Sequence, residues 1–179
     1  IEFINENKVV GILVRSATTV RKDIIDNCAG LKLIGRGGVG MDNIDVEYAR
    51  EKGLHVINTP AASSASVAEL VFAHLYGMVR FLFDANRNMP LEGETRFKEL
   101  KKSYSAGIEL RGKKIGIIGF GRIGREVAKI ALGQGMEVLA HVPFCEAAKI
   151  DLDFYDGQEV SFDIKTIDLK EVYKNADFI

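Results

Sequence analysis

The chain has 179 residues, 47% of them hydrophobic and 27% charged, with a formal net charge of −1. This is the composition of a soluble globular protein, one domain or parts of two. A charge so near zero speaks against a nucleic-acid partner or an anionic membrane surface. The longest apolar pattern, 67–83, is apolar on one face only and carries His74 and Arg80, which argues against a membrane span. No N-terminal signal pattern is present. Cys28 and Cys145 form no C-x-x-C, so a cytoplasmic chain with two incidental reduced thiols is expected.

Ile1-Glu2-Phe3-Ile4 reads as the tail of a helix. Val9–Val14 is an apolar strand ending at Arg15-Ser16. A helix follows from Thr19 or Asp23 through Asn27, then a short strand at Leu31–Gly35. Asp45 offers an N-cap for a helix over Val46–Lys52, with Gly53 as its stop. Leu54–Asn58 is a third strand, closed by Thr59-Pro60. Strands alternating with helices predict a parallel sheet covered on both faces.

Ser66-Val67-Ala68-Glu69 fits a capping box. Val67, Leu70, Val71, His74, Leu75, Met78, Val79 and Leu82 then follow helical spacing. Residues 90–109, opening on Pro90, read as a polar, irregular crossing between domains. Lys113–Ile118 is a strand and Arg122–Leu132 a helix, with Ile123, Val127, Ile130 and Ala131 on one face. Met136–His141 is the next strand, and 146–166 shows only strand-like pieces. Asp168 caps a helix over Leu169–Asn175, and Asp177-Phe178-Ile179 starts another strand. Both ends read as cut. A doubly wound nucleotide domain has about six strands, and roughly four can be counted after Gly112, so a partial chain is expected.

Between that strand at Lys113 and that helix stands Gly119-Phe120-Gly121-Arg122-Ile123-Gly124. A strand, then G-x-G-x-x-G, then a helix is the context of a dinucleotide site. The first glycine permits the sharp turn, the second lets backbone approach a pyrophosphate, and the third allows close helix–strand packing. The helix N-terminus faces the phosphates. An acid about 20 residues further on would hold a ribose hydroxyl. The second strand instead ends in His141-Val142-Pro143. A second glycine cluster occupies Gly35, Gly37, Gly38 and Gly40, where another strand ends.

Leu33-Ile34-Gly35-Arg36-Gly37-Gly38-Val39-Gly40-Met41-Asp42-Asn43-Ile44-Asp45 resembles a signature of the D-2-hydroxyacid dehydrogenase family. Val14–Thr18, Asn58-Thr59-Pro60, Ser66–Leu70 and Glu109–Lys113 resemble that family in the same order, and the likeness runs over about residues 9–144 and again over 168–179. It implies a partial Rossmann-type doubly wound parallel sheet joined to a smaller, partial flavodoxin-like substrate domain. The expected division is 1–58 for substrate binding, 59–112 for a long interdomain and dimer helix with a crossing segment, and 113–179 for NAD.

The resemblance also implies roles. Gly37, Gly38 and Val39 would present amides to a substrate carboxylate, with Val39 also near the nicotinamide. Arg15, with Ser16 beside it, would hold the distal anionic group. Gly119, Gly121, Arg122, Ile123 and Gly124 would cradle the pyrophosphate, and His141, Val142 and Pro143 would meet the adenosine ribose. The family's catalytic arginine, glutamate and histidine would lie downstream, so no catalytic residue is assigned, and no metal is expected. The implied partners are NAD, a small anionic 2-hydroxy acid and a second copy in a homodimer. The implied reaction is oxidation of a D-2-hydroxy acid, 3-phospho-D-glycerate first, in serine biosynthesis. A glyoxylate, hydroxypyruvate or D-lactate-type reductase is the alternative, and so is a dinucleotide-sensing corepressor on the same fold.

Other residues carry plainer expectations. Arg36 touches substrate or pairs with Asp42 or Asp45, and those two acids serve as turn and capping residues. His74 is a satisfied interface histidine and His55 has no role. Val142 cannot accept a hydrogen bond from ribose. Lys149 is the nearest cation for a 2′-phosphate, and no arginine stands nearby, so NAD is expected over NADP.

Overall fold

Three β-branched or apolar stretches pair in parallel to form the first sheet: β1 (Gly11–Val14), β2 (Leu33–Arg36) and β3 (His55–Asn58), in that spatial order. The computed structural model describes residues 1–144 and 146–179, which fall into two compact units, Ile1–Ser63 and Ser64–Ile179. In the first unit, α1 (Glu2–Glu6) precedes β1, α2 (Lys22–Asn27) links β1 to β2, and α3 (Val46–Glu51) links β2 to β3. Alternation along each strand buries Val14, Ile34 and Val56 with Val20, Ile25 and Ala49. Fully burying a side chain such as Ile34 contributes about 1.5–3 kcal/mol. The expected coverage of both faces is not found. Leu13, Gly35 and Ile57 form one register row across the sheet, and Leu13 and Ile57 are 83% and 54% exposed. With two short helices in these crossovers, the described residues cover one face of the sheet only.

The second unit opens with α4 (Ser64–Val79) and α5 (Leu82–Tyr104). The capping box is corrected: α4 begins two residues before Ser66, so Ser66 and Glu69 are exposed positions inside the helix. The buried face is also shifted. Ala68, Phe72, Leu75 and Val79 enter the core, while His74 is exposed and Leu70 and Met78 are 56% and 63% exposed. Helix α4 stops where Phe81 turns left-handed (φ +55), and the Val79 carbonyl accepts from the Ile108 amide at 3.1 Å.

Residues 90–104 are helical rather than irregular. Pro90 lies inside α5, and Arg96 (φ −120) breaks its backbone. Arg96 bonds Glu92 one turn back and Glu99 ahead, and the ring of Tyr104 lies 6.3 Å from that of Phe81. The Asn88 amide also donates to the Tyr104 hydroxyl at 3.1 Å. The helix thus doubles back on itself, with side chains closing the break. No single helix among the described residues is long and apolar enough to cross a membrane.

The rest of this unit is β4 (Lys114–Ile118), α6 (Arg122–Gly133), β5 (Glu137–His141), β6 (Ala147–Asp153), β7 (Glu159–Lys165) and α7 (Leu169–Asn175). Strands β4 and β5 are parallel. Thr166 bridges Ala140 on the outer side of β5, and Phe178 bridges Ile115 of β4, both in parallel. The resulting order, Thr166–β5–β4–Phe178, is the 3-2-1-4 order of a doubly wound nucleotide fold. Residues 147–165, where only strand-like pieces were expected, form an antiparallel hairpin. Helix α6 buries Gly124, Val127, Ala128 and Ala131, whereas Ile123, expected on that face, is 41% exposed at the helix start. Cys28 is a free buried thiol, and Cys145 lies outside the described residues.

Candidate functional site

At the carboxyl end of the first sheet, Leu13, Arg15, Gly35, Gly37, Ile57 and Thr59 are among the residues lining a cleft of about 260 Å³. The Arg15 side chain is exposed and pairs with no carboxylate among the described residues. Its stem runs beside Gly37, where an added Cβ would lie 3.7 Å from the Arg15 Cγ. The amides of the glycine turn are partly committed. Gly37 N–H donates to the Val14 carbonyl and Gly38 N–H to the Arg36 carbonyl, both at 2.9 Å. The Val39 amide donates to no acceptor among the described residues, and its side chain is 46% exposed. Of the three amides expected to meet a carboxylate, Val39 is therefore the one with its hydrogen available.

Arg36 pairs with neither Asp42 nor Asp45. Its Nε donates to Asn43 Oδ1 at 3.0 Å, and its Nη2 donates to the Ser16 hydroxyl at 3.3 Å. Asp45 stands at the N-cap position of α3 without a capping hydrogen bond, because its carboxylate accepts from Arg21 at 2.8 Å. Asn43, given no role from the sequence, is 5% exposed and organises this end of the sheet. Its Nδ2 donates to the carbonyls of Arg15 and Thr18 at 3.0 and 2.6 Å. An asparagine inside an Asp-Asn turn is the sequence cue, since its amide readily bonds nearby backbone.

The second constellation lies at the carboxyl ends of β4 and β5. Gly119 takes φ +96, and its N–H donates to the His141 carbonyl at 2.9 Å. This bond ties the glycine turn to the end of β5. A Cβ on Gly124 would fall 2.3 Å from the Gly119 carbonyl oxygen, whereas one on Gly119 or Gly121 would meet nothing within 4 Å. The third glycine thus permits close packing, and open space lies over the first two. Exposed Arg122 and Ile123 begin the twelve-residue α6, whose first-turn amides have no partner within the helix. The positive end of a helix dipole, amides and an open turn are what a pyrophosphate requires.

Beside this turn, His141, Val142, Pro143, Phe144, Glu146 and Asp168 line part of a cleft of about 500 Å³. The imidazole Nδ1 of His141 lies 2.8 Å from the Ile167 carbonyl. Val142 is partly buried against the core rather than offering a polar group. Lys149 is held in the hairpin by Asp151 at 3.3 Å and does not line this cleft. Among the described residues no group of three or more His, Cys, Asp or Glu side chains is arranged to hold a metal.

The model of the D-isomer specific 2-hydroxyacid dehydrogenase family, catalytic domain, matches residues 2–148. The chain belongs to that family. It is 44% identical over 168 residues to a hydroxypyruvate reductase of Thermotoga maritima, covering 94% of this chain and 49% of the relative. It is 41% identical over 171 residues to a D-3-phosphoglycerate dehydrogenase of Methanocaldococcus jannaschii, covering 94% of this chain and 29% of that protein. Among solved structures, D-lactate dehydrogenase from Aquifex aeolicus, complexed with NAD and lactic acid, aligns with a TM-score of 0.66 at 30% identity. That alignment covers 97% of this chain and 48% of the other. The chain therefore spans about half the first curated relative and less than a third of the second. Its parallel α/β architecture is that of this dehydrogenase family.

Proposed function

We propose that the protein is an NAD-linked oxidoreductase acting on a D-2-hydroxy acid. The first candidate reaction is oxidation of 3-phospho-D-glycerate to 3-phosphohydroxypyruvate, as an entry to serine synthesis. The second is reduction of hydroxypyruvate or glyoxylate. 3-Phosphoglycerate and hydroxypyruvate fit the names of the relatives, and each substrate carries a carboxylate beside the reacting carbon. The observation that carries this reading is Arg15, an exposed guanidinium with no carboxylate partner among the described residues, lining a cleft at the carboxyl end of a parallel sheet. A planar guanidinium suits a phosphate or carboxylate through paired hydrogen bonds.

In this reading Arg15, with Ser16 beside it, binds the anionic end of the substrate, and the Val39 amide steadies the carboxylate near Gly37 and Gly38. Gly119, Gly121 and the start of α6 at Arg122, Ile123 and Gly124 seat the pyrophosphate. The nicotinamide supplies the hydride acceptor. None of the three histidines lines the Arg15 cleft, so no residue is assigned to proton transfer in this reading. Residues 1–58 serve the substrate, 59–112 the crossing and 113–179 the cofactor. The exposed apolar side chains of α4, Leu70, Val71 and Met78, support a homodimer through that helix.

The test is NADH formation by the full-length protein with 3-phospho-D-glycerate, D-glycerate and D-lactate, and NADH consumption with hydroxypyruvate and glyoxylate. Arg15→Ala is expected to raise KM for the preferred acid at least tenfold. No turnover of any of the five sinks the enzyme reading and leaves a dinucleotide-binding protein on this scaffold.

A further inference from the structure

Resting on the dinucleotide reading above, we infer that His141 anchors the adenosine ribose through Nε2, in the role a strand-end carboxylate would otherwise fill. We further infer that the lining of the same cleft selects NAD over NADP. Three observations place the imidazole there. The His141 backbone is bonded to the glycine turn through Gly119 N–H at 2.9 Å, so this residue adjoins the pyrophosphate cradle, one ester linkage from where a ribose must sit. His141 is among the residues lining the cleft beyond the end of β5, and its ring is held by the carbonyl of Ile167, which lines the same cleft. Val142, the next residue, turns its apolar side chain to the core and offers nothing to a hydroxyl.

The chemistry of the ring follows from its one hydrogen bond. A carbonyl oxygen only accepts, so Nδ1, 2.8 Å from the Ile167 carbonyl, carries the proton. In the neutral ring this leaves Nε2 with a lone pair, an acceptor for a ribose hydroxyl. The bond also fixes the ring plane, so the acceptor is oriented in advance.

The charge of the cleft decides between the two dinucleotides. Glu146 and Asp168 line it, and no lysine or arginine does so among the described residues. Lys149 is not among the lining residues and is paired with Asp151 at 3.3 Å. A 2′-phosphate would face two carboxylates without a cation, which disfavours it.

The test is calorimetric titration of the full-length protein with NAD, NADP, ADP, 2′-deoxy-ADP and 3′-deoxy-ADP. The wild type is expected to bind ADP about tenfold more tightly than the analogue lacking the bonded hydroxyl, a typical single hydrogen bond, and NAD at least tenfold more tightly than NADP. His141→Asn keeps a donor for the Ile167 carbonyl where Nδ1 stood and removes Nε2, so it is expected to fold and to bind ADP and the deoxy analogues equally. His141→Gln keeps an acceptor near the Nε2 position and retains the discrimination. The inference is overturned, with no variant needed, if the wild type binds ADP and both deoxy analogues alike or binds NADP as tightly as NAD. A deoxy penalty of unchanged size in a folded His141→Asn protein overturns it as well. A wild type that binds neither NAD nor ADP overturns the dinucleotide reading itself, and this inference with it.

Discussion

Arg36 donates from Nε to Asn43 Oδ1 at 3.0 Å, and this bond ties the end of β2 to the loop that holds Arg15 in place. The same asparagine donates to the carbonyls of Arg15 and Thr18. One buried amide therefore holds three backbone or side-chain groups, and its geometry sets where the Arg15 side chain leaves the sheet.

Removing that amide leaves buried polar groups unpaired. Asn43→Ala is expected to destabilise the protein by about 1–3 kcal/mol, read as a lower denaturation midpoint with unchanged slope. Asn43→Asp, which keeps the acceptor for Arg36 but cannot donate to the two carbonyls, is expected to lose nearly as much.

Gly121 and Gly124 separate binding from folding. Gly124→Ala would put a methyl 2.3 Å from the Gly119 oxygen, so about 1–3 kcal/mol of stability is expected to be lost. Gly121→Ala meets no protein atom within 4 Å. It should shift stability by no more than about 0.5 kcal/mol, while its methyl occupies the cradle and weakens NAD at least tenfold by calorimetry. Loss of stability without loss of affinity at Gly121 would contradict the assignment.

On the first unit's surface, hydrogen bonds from Lys52 and Tyr48 hold the Asp26 carboxyl below the usual carboxylate range. The pKa of the Lys52 ammonium is raised in turn by Asp26 first and then Tyr48, and Lys22 and Lys52 sit over the Tyr48 ring at 4.7 and 5.1 Å. A folded-state carboxylate pKa below the unfolded value stabilises fully above the unfolded value, and the contribution disappears as pH falls through the folded one. Carboxyl-carbon NMR titration is expected to show Asp26 titrating below its exposed neighbours. Lys52→Gln should move it upward, and Tyr48→Phe should do so by a smaller amount. Because the group is exposed, the accompanying change in midpoint should be small and reduced by salt.

If α4 joins two copies, charge on its exposed apolar face will separate them. Leu70→Glu combined with Met78→Glu is expected to convert the full-length protein from dimer to monomer in sedimentation velocity, with the unfolding transition of the monomer preserved. Both side chains are more than half exposed in the single chain, so the core of α4 is untouched.

What could be read from the sequence was local. Strands β1 to β5 and helices α3, α6 and α7 are set by short apolar runs bounded by glycine, asparagine or charge, and their expected bounds lie within two residues of the observed ones. The glycine turn was legible because Gly119 and Gly124 are needed by backbone geometry alone. The partner of Arg36 was not, because Asp42, Asn43 and Asp45 all lie within reach in sequence and only the packed loop selects among them. Pro90 and Phe81 misled in opposite ways. Proline suggested a break where the helix continues, and the apolar pattern ran through Phe81, where the chain turns left-handed. The β6–β7 hairpin left a usable trace. Asp156-Gly157 stands between Ile150, Leu152 and Val160, Phe162, Ile164, a turn dipeptide flanked by alternation.

That hairpin does the work of a crossover helix. Because Thr166, just past β7, bridges β5 in parallel, β7 rises with β5, and β6, antiparallel to β7, makes the descent. A helix closes its own hydrogen bonds, but a descending strand depends on its neighbour for every one of them. Ile167, which clamps the His141 imidazole, follows directly on from this ribbon. The ribbon and the clamp therefore belong to one cooperative opening unit. In amide hydrogen exchange, Ile150, Ile164 and Ile167 would lose protection together, and each such opening would release the histidine ring from its fixed plane.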